Sequence, residues 1–65
     1  MFSKRLRRIM YIRGISIAEL AKASKIPKAS IQNYIDGKVY PRNNIIGVMA
    51  IELRVSLDWL KKGIE

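Results

Sequence analysis

Helix-breaking residues recur along this chain and divide it into short segments. The strongest are Gly14, Pro27, Gly37, Pro41 and Gly63. Proline is disfavoured inside a helix, and glycine is common just beyond a helix C-terminus. Between these positions, apolar residues recur three and four places apart, which is the spacing of one helix face. The pattern predicts an all-α domain of five short helices.

Two local signals define the first two predicted helices. The first helix is predicted over residues 3–13, with Ser3 as its N-cap and Gly14 just after its end. Ser16 and Glu19 have the spacing of a capping box, in which each side chain accepts a hydrogen bond from the other residue's backbone N–H. A second helix is therefore predicted over residues 17–24.

Three further helices are predicted in the second half of the chain. Proline is disfavoured inside a helix, so Lys25, Ile26 and Pro27 are predicted to form a brief connection into a third helix that ends at about Ile35 or Asp36, just before Gly37. Asn43 or Asn44 is expected to cap a fourth helix, and Ser56 is expected to cap a fifth. The apolar spacing predicts that the fourth helix buries Ile46, Met49, Ala50 and Leu53.

The composition restricts the function of so small a domain. The 65 residues include 13 Lys and Arg, 5 Asp and Glu, no His and no Cys, for a formal charge of +8. The chain has no thiol and no imidazole, which are the usual groups in metal sites, redox chemistry and acid–base catalysis. We therefore expect no enzyme and no cofactor. No apolar run approaches the length of a membrane span. The sequence predicts a cytoplasmic protein whose partner is anionic.

The second and third predicted helices are joined by a tight turn. In a small, basic, all-α domain, this is the arrangement of a helix-turn-helix DNA-binding unit. Residues 16–37, SIAELAKASKIPKASIQNYIDG, resemble the core of the lambda-repressor-like (Cro/C1-type, XRE-like) transcriptional regulators. Residues 53–63, LRVSLDWLKKG, resemble an ending that is common among phage repressors of that family.

The resemblance implies one helix-turn-helix domain over residues 1–65, built as a compact five-helix bundle. It also implies sequence-specific binding to double-stranded DNA by a transcriptional regulator, such as a phage or prophage repressor. Such relatives bind palindromic operators as homodimers. An antitoxin or anti-repressor that binds another protein is the alternative. The sequence leaves open the operator, repression against activation, and whether the chain is a complete Cro-like protein or a DNA-binding fragment.

The chain departs from the family pattern at several positions. Lys25 and Arg54 stand where relatives usually have glycine, and a left-handed backbone there would cost about 1 kcal/mol each. Ile17 replaces a frequent glutamine. Met10 and Ile35 occupy the positions of a buried Arg–Glu pair that many relatives carry. Because both ends of the pair are replaced by apolar groups, we expect Met10 to pack directly on Ile35.

The third helix has a polar arc that is suited to reading bases. At about 100° per residue, its polar side spans about 140°, opposite the apolar side chains. Lysine can donate to guanine, glutamine and asparagine can bind adenine, and alanine can contact the thymine methyl group. The predicted base contacts are Lys28, Ala29, Gln32 and Asn33.

Groups that flank the third helix are expected to bind phosphates. Hydroxyls, cations and the N–H groups at helix starts all bind phosphate oxygens. The predicted phosphate contacts are Ser16, Ile17, Lys25, Ser30, Lys38, Tyr40, Arg42 and Asn43. A basic face on the first helix is expected to be solvated; it consists of Lys4, Arg5, Arg7, Arg8 and Arg13.

Two surfaces are candidates for self-association. Ile45, Val48 and Ile51 form a second apolar strip on the fourth helix, beyond its expected core positions. The fourth helix could also be surrounded by other helices, which would bury the strip. The region from Val55 to Leu57 is the other candidate, because relatives commonly pair there.

Overall fold

The computed structural model describes residues 2–63 as five α-helices joined by short turns. They are α1 (Phe2–Arg13), α2 (Ile17–Ser24), α3 (Lys28–Ile35), α4 (Asn43–Leu53) and α5 (Leu57–Lys62). No strand occurs within residues 2–63. The predicted all-α architecture is confirmed, and each of the five predicted helices is present.

All five helices contribute to one apolar core. Helix α1 packs against α3, α4 and α5, while α2 packs against α3 and α4, and α4 packs against α5. The four predicted core residues of α4 are all buried, and so are Met10 and Ile35. No polar or charged residue is buried in the described part of the chain. The largest fully buried side chains are Leu6, Leu20, Ile31, Ile46, Met49, Leu53 and Leu60.

The predicted start of α1 is wrong by one residue. The helix already includes Phe2, so Ser3 is a helical residue and not the N-cap. Phe2 is buried, so α1 contributes to the core from this residue onward. The hydroxyl of Ser3 instead lies close to Gly37.

The start of α4 differs from the prediction, whereas that of α3 agrees with it. Pro27 lies in the connection before α3, where its ψ angle of 142° is not helical, and the helix begins at Lys28. At α4 the N-cap is Arg42, which has an extended backbone and makes no side-chain capping bond. Asn43 and Asn44 are therefore helical residues and not caps. The Arg42 carbonyl accepts hydrogen bonds from N–H groups in the first turn of α4, so the backbone alone starts this helix.

Lys25 and Arg54, which stand where relatives usually have glycine, both have a left-handed backbone. Lys25 has φ 63° and ends α2, and Arg54 has φ 60° and ends α4. Their N–H groups bond back to the preceding helix, from Lys25 to Ala21 at 2.8 Å and from Arg54 to Ile51 at 3.2 Å. The helices thus end as glycine-capped helices do, at the steric cost that a side chain adds.

An arginine of α1 binds the C-terminus of α5. The Nε of Arg5 donates to the carbonyl oxygen of Leu60 at 3.0 Å, and its Nη2 donates to that of Lys61 at 2.6 Å. The last carbonyls of a helix have no partner within the helix, and they lie at its negative end. Arg5 therefore supplies both hydrogen bonds and a complementary charge.

Two more arginines of α1 bind helix C-termini. The Nε of Arg13 donates to the carbonyl oxygen of Leu53 at 3.1 Å, and its Nη2 donates to that of Arg54 at 3.3 Å. The Nη2 of Arg7 donates to the carbonyl oxygen of Ile35, at the end of α3, at 3.5 Å. The prediction of a simply solvated basic face is therefore wrong for three of its five cations.

Candidate nucleic-acid interface

The start of α2 is fixed by the predicted capping box. The Ser16 N–H donates to Oε1 of Glu19 at 2.9 Å, and the Glu19 N–H donates to Oγ of Ser16 at 3.1 Å. The hydrogen bond from the Ser16 backbone N–H to the carboxylate, and secondly the Ser16 hydroxyl close to the same carboxylate, lower the pKa of the Glu19 carboxyl. The first four N–H groups at a helix start have no acceptor within the helix. The capping box satisfies those of Ser16 and Glu19, so the N–H groups of Ile17 and Ala18 remain.

Ser24, the last residue of α2, holds the turn between α2 and α3. The Ser24 hydroxyl donates to the Leu20 carbonyl at 2.6 Å and accepts from the Ile26 N–H at 3.3 Å. The Ile26 side chain is buried in the core. The left-handed Lys25 and these two bonds together fix the direction in which the chain enters α3.

Helix α3 is amphipathic, with a polar side opposite its apolar side, as the sequence predicts. Ile31 and Ile35 are buried in the core, whereas Lys28, Ala29 and Gln32 are exposed. The apolar side therefore fixes the helix to the domain, and three of the four predicted base-contacting side chains lie in solvent.

The fourth predicted base contact, Asn33, is only half-exposed. Its carbonyl oxygen accepts hydrogen bonds from the N–H groups of Lys38 at 2.9 Å and Val39 at 3.4 Å. The chain beyond α3 therefore turns back toward Asn33. This long turn places Asn33 at the edge of the exposed side of the helix.

One side-chain pair orders the end of the exposed side of α3. The Nε2 of Gln32 donates to Oδ1 of Asp36 at 3.0 Å, one helical turn away. The backbone supports the same turn, because the Asp36 N–H donates to the Gln32 carbonyl at 2.9 Å. The sequence reading did not pair these residues, although their spacing of four is the known spacing of such pairs.

The loop between α3 and α4 carries three of the predicted phosphate contacts. Lys38, Tyr40 and Arg42 are all exposed. The Tyr40 ring packs on that of Phe2, with centroids 5.4 Å apart and the planes tilted by 56°. Tyr40 is thus held in place on one side and open to solvent on the other. Tyr40 and Arg42 share a shallow groove with Asn44.

The remaining predicted phosphate contacts lie at the surface in separate places. Ser16, Lys25 and Asn43 are exposed, while Ile17 and Ser30 are half-exposed. Tyr34 is half-buried, packs on the core and lines the same groove as Tyr40.

The apolar strip predicted on α4 is only partly exposed to solvent. Ile45 is half-buried and packs on the core. Val48 and Ile51 are 38% and 75% exposed. At the second candidate surface, Val55 packs on the core and Leu57 is 39% exposed. Ile51 is therefore the most exposed apolar side chain of the two surfaces.

Two other kinds of site receive no support from residues 2–63. None of their helices has the length and apolar character needed to cross a bilayer. Their acidic side chains also form no group that could bind a metal ion.

The fold and the exposed third helix define a helix-turn-helix DNA-binding domain. The model of the helix-turn-helix family matches residues 4–60 of the chain. The protein belongs to this Cro/C1-type helix-turn-helix family, and it is a DNA-binding transcriptional regulator. No curated protein and no solved structure showed a significant match to the chain.

Proposed function

We propose that the protein is a sequence-specific repressor of the phage or prophage type, which occupies double-stranded operator DNA with α3 in the major groove. The observation that carries this proposal is the division of α3 into a buried side and an exposed polar side. Ile31 and Ile35 anchor the helix, while Lys28, Ala29 and Gln32 are exposed. Side chains presented in this way from a helix can reach base edges in the major groove.

Each exposed residue of α3 has a base edge that it suits. Lys28 donates to O6 and N7 of guanine, and Gln32 binds N6 and N7 of adenine. Ala29 contacts the methyl group of thymine. Asn33, at the edge of the exposed side, suits N6 and N7 of adenine.

Phosphate contacts on both sides of α3 set the orientation of the domain on the duplex. On one side, the Ser16 hydroxyl and the Ile17 N–H bind at the start of α2, and Lys25 binds from the turn. On the other side, Lys38, Tyr40, Arg42 and Asn43 bind from the loop and the start of α4. Ser30 binds a phosphate from α3 itself. The packing of Tyr40 on Phe2 supports this assignment, since a held side chain loses little conformational freedom on binding.

The protein binds a palindromic operator as a homodimer. One domain of this size covers few base pairs, and two-fold dimers place two recognition helices about one DNA turn apart. The exposure of Val48 and Ile51 supports α4 as the dimer surface. The same exposed side chains would serve the alternative function, in which this surface binds another protein, as in an antitoxin or anti-repressor.

Selection of binding sites from a random duplex pool tests the proposal. The expected result is a two-fold symmetric motif, bound at two protomers per duplex. Lys28→Ala and Gln32→Ala should each cost about 1–3 kcal/mol at particular base pairs only. Lys38→Ala and Arg42→Ala should weaken binding to every sequence and reduce the salt slope by about one each. An equal loss on specific and random DNA for the first pair would contradict base reading by α3.

A second measurement separates repression from the protein-binding alternative. In a reporter carrying the selected site across a promoter, the wild-type protein should reduce transcription, and Gln32→Ala should reduce it less. If no motif emerges from the pool, and the purified protein instead forms a stable complex with a different protein in the absence of DNA, the alternative function is correct.

A further inference from the structure

The side chains of Gln32 and Asp36 form a hydrogen bond on the exposed side of α3, from Nε2 to Oδ1 at 3.0 Å. A carboxylate only accepts hydrogen bonds, whereas a glutamine amide has a donor end and an acceptor end. The nitrogen of the amide must therefore face Asp36, and its oxygen must face away. The reversed amide would bring two oxygens together, so Gln32 has one favoured orientation.

We infer that Asp36 is a specificity-determining residue, which acts by fixing the order in which Gln32 presents its donor and its acceptor to the major groove. Asp36 needs no contact with a base for this role, and it is a positioning residue. The inference rests on the proposed function, in which Gln32 binds a base edge.

The chemistry of the amide shows which base the fixed orientation favours. The amide nitrogen carries two N–H groups, of which one lies beside Oε1 and the other points away from it. When the second N–H binds Asp36, the first N–H and Oε1 remain as a donor beside an acceptor. Adenine offers N7 as an acceptor and N6 as a donor, so it matches this pair. Guanine offers two acceptors, and its O6 would meet Oε1.

Loss of Asp36 would release this orientation. A free amide has two orientations, so binding adenine would then require the selection of one of them, and the other could donate to guanine. Fixing a binding group before association avoids that cost. A hydrogen-bonded pair at this spacing is weak, and the selection of one of two amide orientations lowers the affinity for adenine by a factor of about two. The expected change in base preference is therefore about two- to fourfold.

Asp36 also carries a negative charge close to the proposed DNA surface. Removing that charge should strengthen binding to every sequence, because the phosphates are negative. This effect does not depend on the base pair. The proposed positioning effect is limited to one operator position, so the two effects can be measured separately on the same variants.

The experiment compares the affinities of the folded protein for duplexes in which each base pair of the selected site is varied in turn. The variants are Asp36→Asn, Asp36→Ala, Gln32→Ala and the double variant Gln32→Ala/Asp36→Ala. Asparagine keeps an oxygen at this position but can also present an N–H, so it too releases the Gln32 amide. Circular dichroism confirms folding, which we expect because a carboxylate at a helix C-terminus is not stabilising.

We expect Gln32→Ala to lose about 5- to 150-fold in preference at one base pair. Both Asp36 variants should lose about two- to fourfold in preference for adenine over guanine at the same base pair, with no change in preference elsewhere. The double variant should show no further loss of preference beyond Gln32→Ala, because Asp36 acts through Gln32.

Asp58→Asn is the matched control, because it removes the same charge from α5. Within residues 2–63, α5 packs against α1 and α4 and makes no contact with α3. If the Asp36 variants change all affinities uniformly, as Asp58→Asn should, while Gln32→Ala remains selective, the inference is wrong and the proposed function stands. If Gln32→Ala is also uniform, Gln32 does not read a base, and both are wrong.

Discussion

The Nε of Arg5 donates a hydrogen bond to the carbonyl oxygen of Leu60 at 3.0 Å, and these two residues are 55 positions apart in the chain. The bond joins the first helix to the end of the last one. Part of the positive charge of this protein therefore stabilises its own fold and is not available for DNA. The total charge overstates the number of cations that a DNA duplex can contact.

Arg5→Ala should lower the free energy of unfolding by about 1–2 kcal/mol. The substitution removes two hydrogen bonds from a charged donor and a cation at the negative end of α5. Denaturation by urea, followed by circular dichroism, measures the change. Arg8→Ala is the matched control, because Arg8 is an exposed cation of the same helix, and its loss should change stability by less than about 0.5 kcal/mol. Equal effects of the two substitutions would show that Arg5 does not stabilise the fold.

Lys25→Gly and Arg54→Gly should each raise the free energy of unfolding by about 1 kcal/mol, because both residues have a left-handed backbone. Their effects on DNA binding should differ. Lys25→Gly also removes a proposed phosphate contact, so it should weaken binding to all DNA sequences and lower the salt slope by about one. Arg54→Gly relieves the same backbone strain without removing a proposed contact, which makes it the control. If binding falls equally for both, the turn lysine has no special role at the phosphate backbone.

The ends of several helices were predictable from the sequence because their signals are local. Ser16 with Glu19, and Ser56 with the N–H of Trp59, act over three residues. The starts of α1 and α4 were less predictable. At α4, the sequence offered Asn43 and Asn44 as possible N-caps. The N-cap is instead Arg42, which makes no side-chain capping bond.

Long-range features could not be predicted from the sequence for a physical reason. The periodicity of α1 shows that Arg5 and Arg13 lie away from the centre of its apolar face, but it does not show which helix ends lie within reach. In the same way, the helical period placed Asn33 on the polar arc, but in the structure this residue is half-exposed and the chain at Lys38 and Val39 turns back to bond its carbonyl oxygen. The candidate site was therefore predictable as a face of one helix, and its edges depend on tertiary structure.

The stability that Glu19 contributes should depend on pH. Its hydrogen bonds with Ser16 hold the pKa of the carboxyl below the ordinary value of 4.5 in the folded protein. A lowered folded-state pKa means that this contribution is fully present above the ordinary pKa, and is lost as the pH falls through the lowered pKa. Wild type and Glu19→Gln, compared by urea denaturation from pH 7 down to pH 3, should therefore converge as the pH falls. A difference in stability that does not change with pH would argue against a role for the charged carboxylate.

Ile51→Glu should abolish dimer formation and leave the monomer folded, since Ile51 is 75% exposed and makes little contribution to the core. The reason is that a carboxylate cannot be buried in an apolar interface without a partner. Ile12→Glu is the matched control, because Ile12 is 58% exposed on α1 and the substitution makes the same change in charge. Sedimentation equilibrium should show a dimer for wild type and Ile12→Glu and a monomer for Ile51→Glu. On the selected operator, Ile51→Glu should lose affinity for the whole palindrome far more than for a single half-site. If both variants remain dimeric, the exposed strip of α4 is not the dimer surface, and the Val55 to Leu57 region becomes the candidate to test.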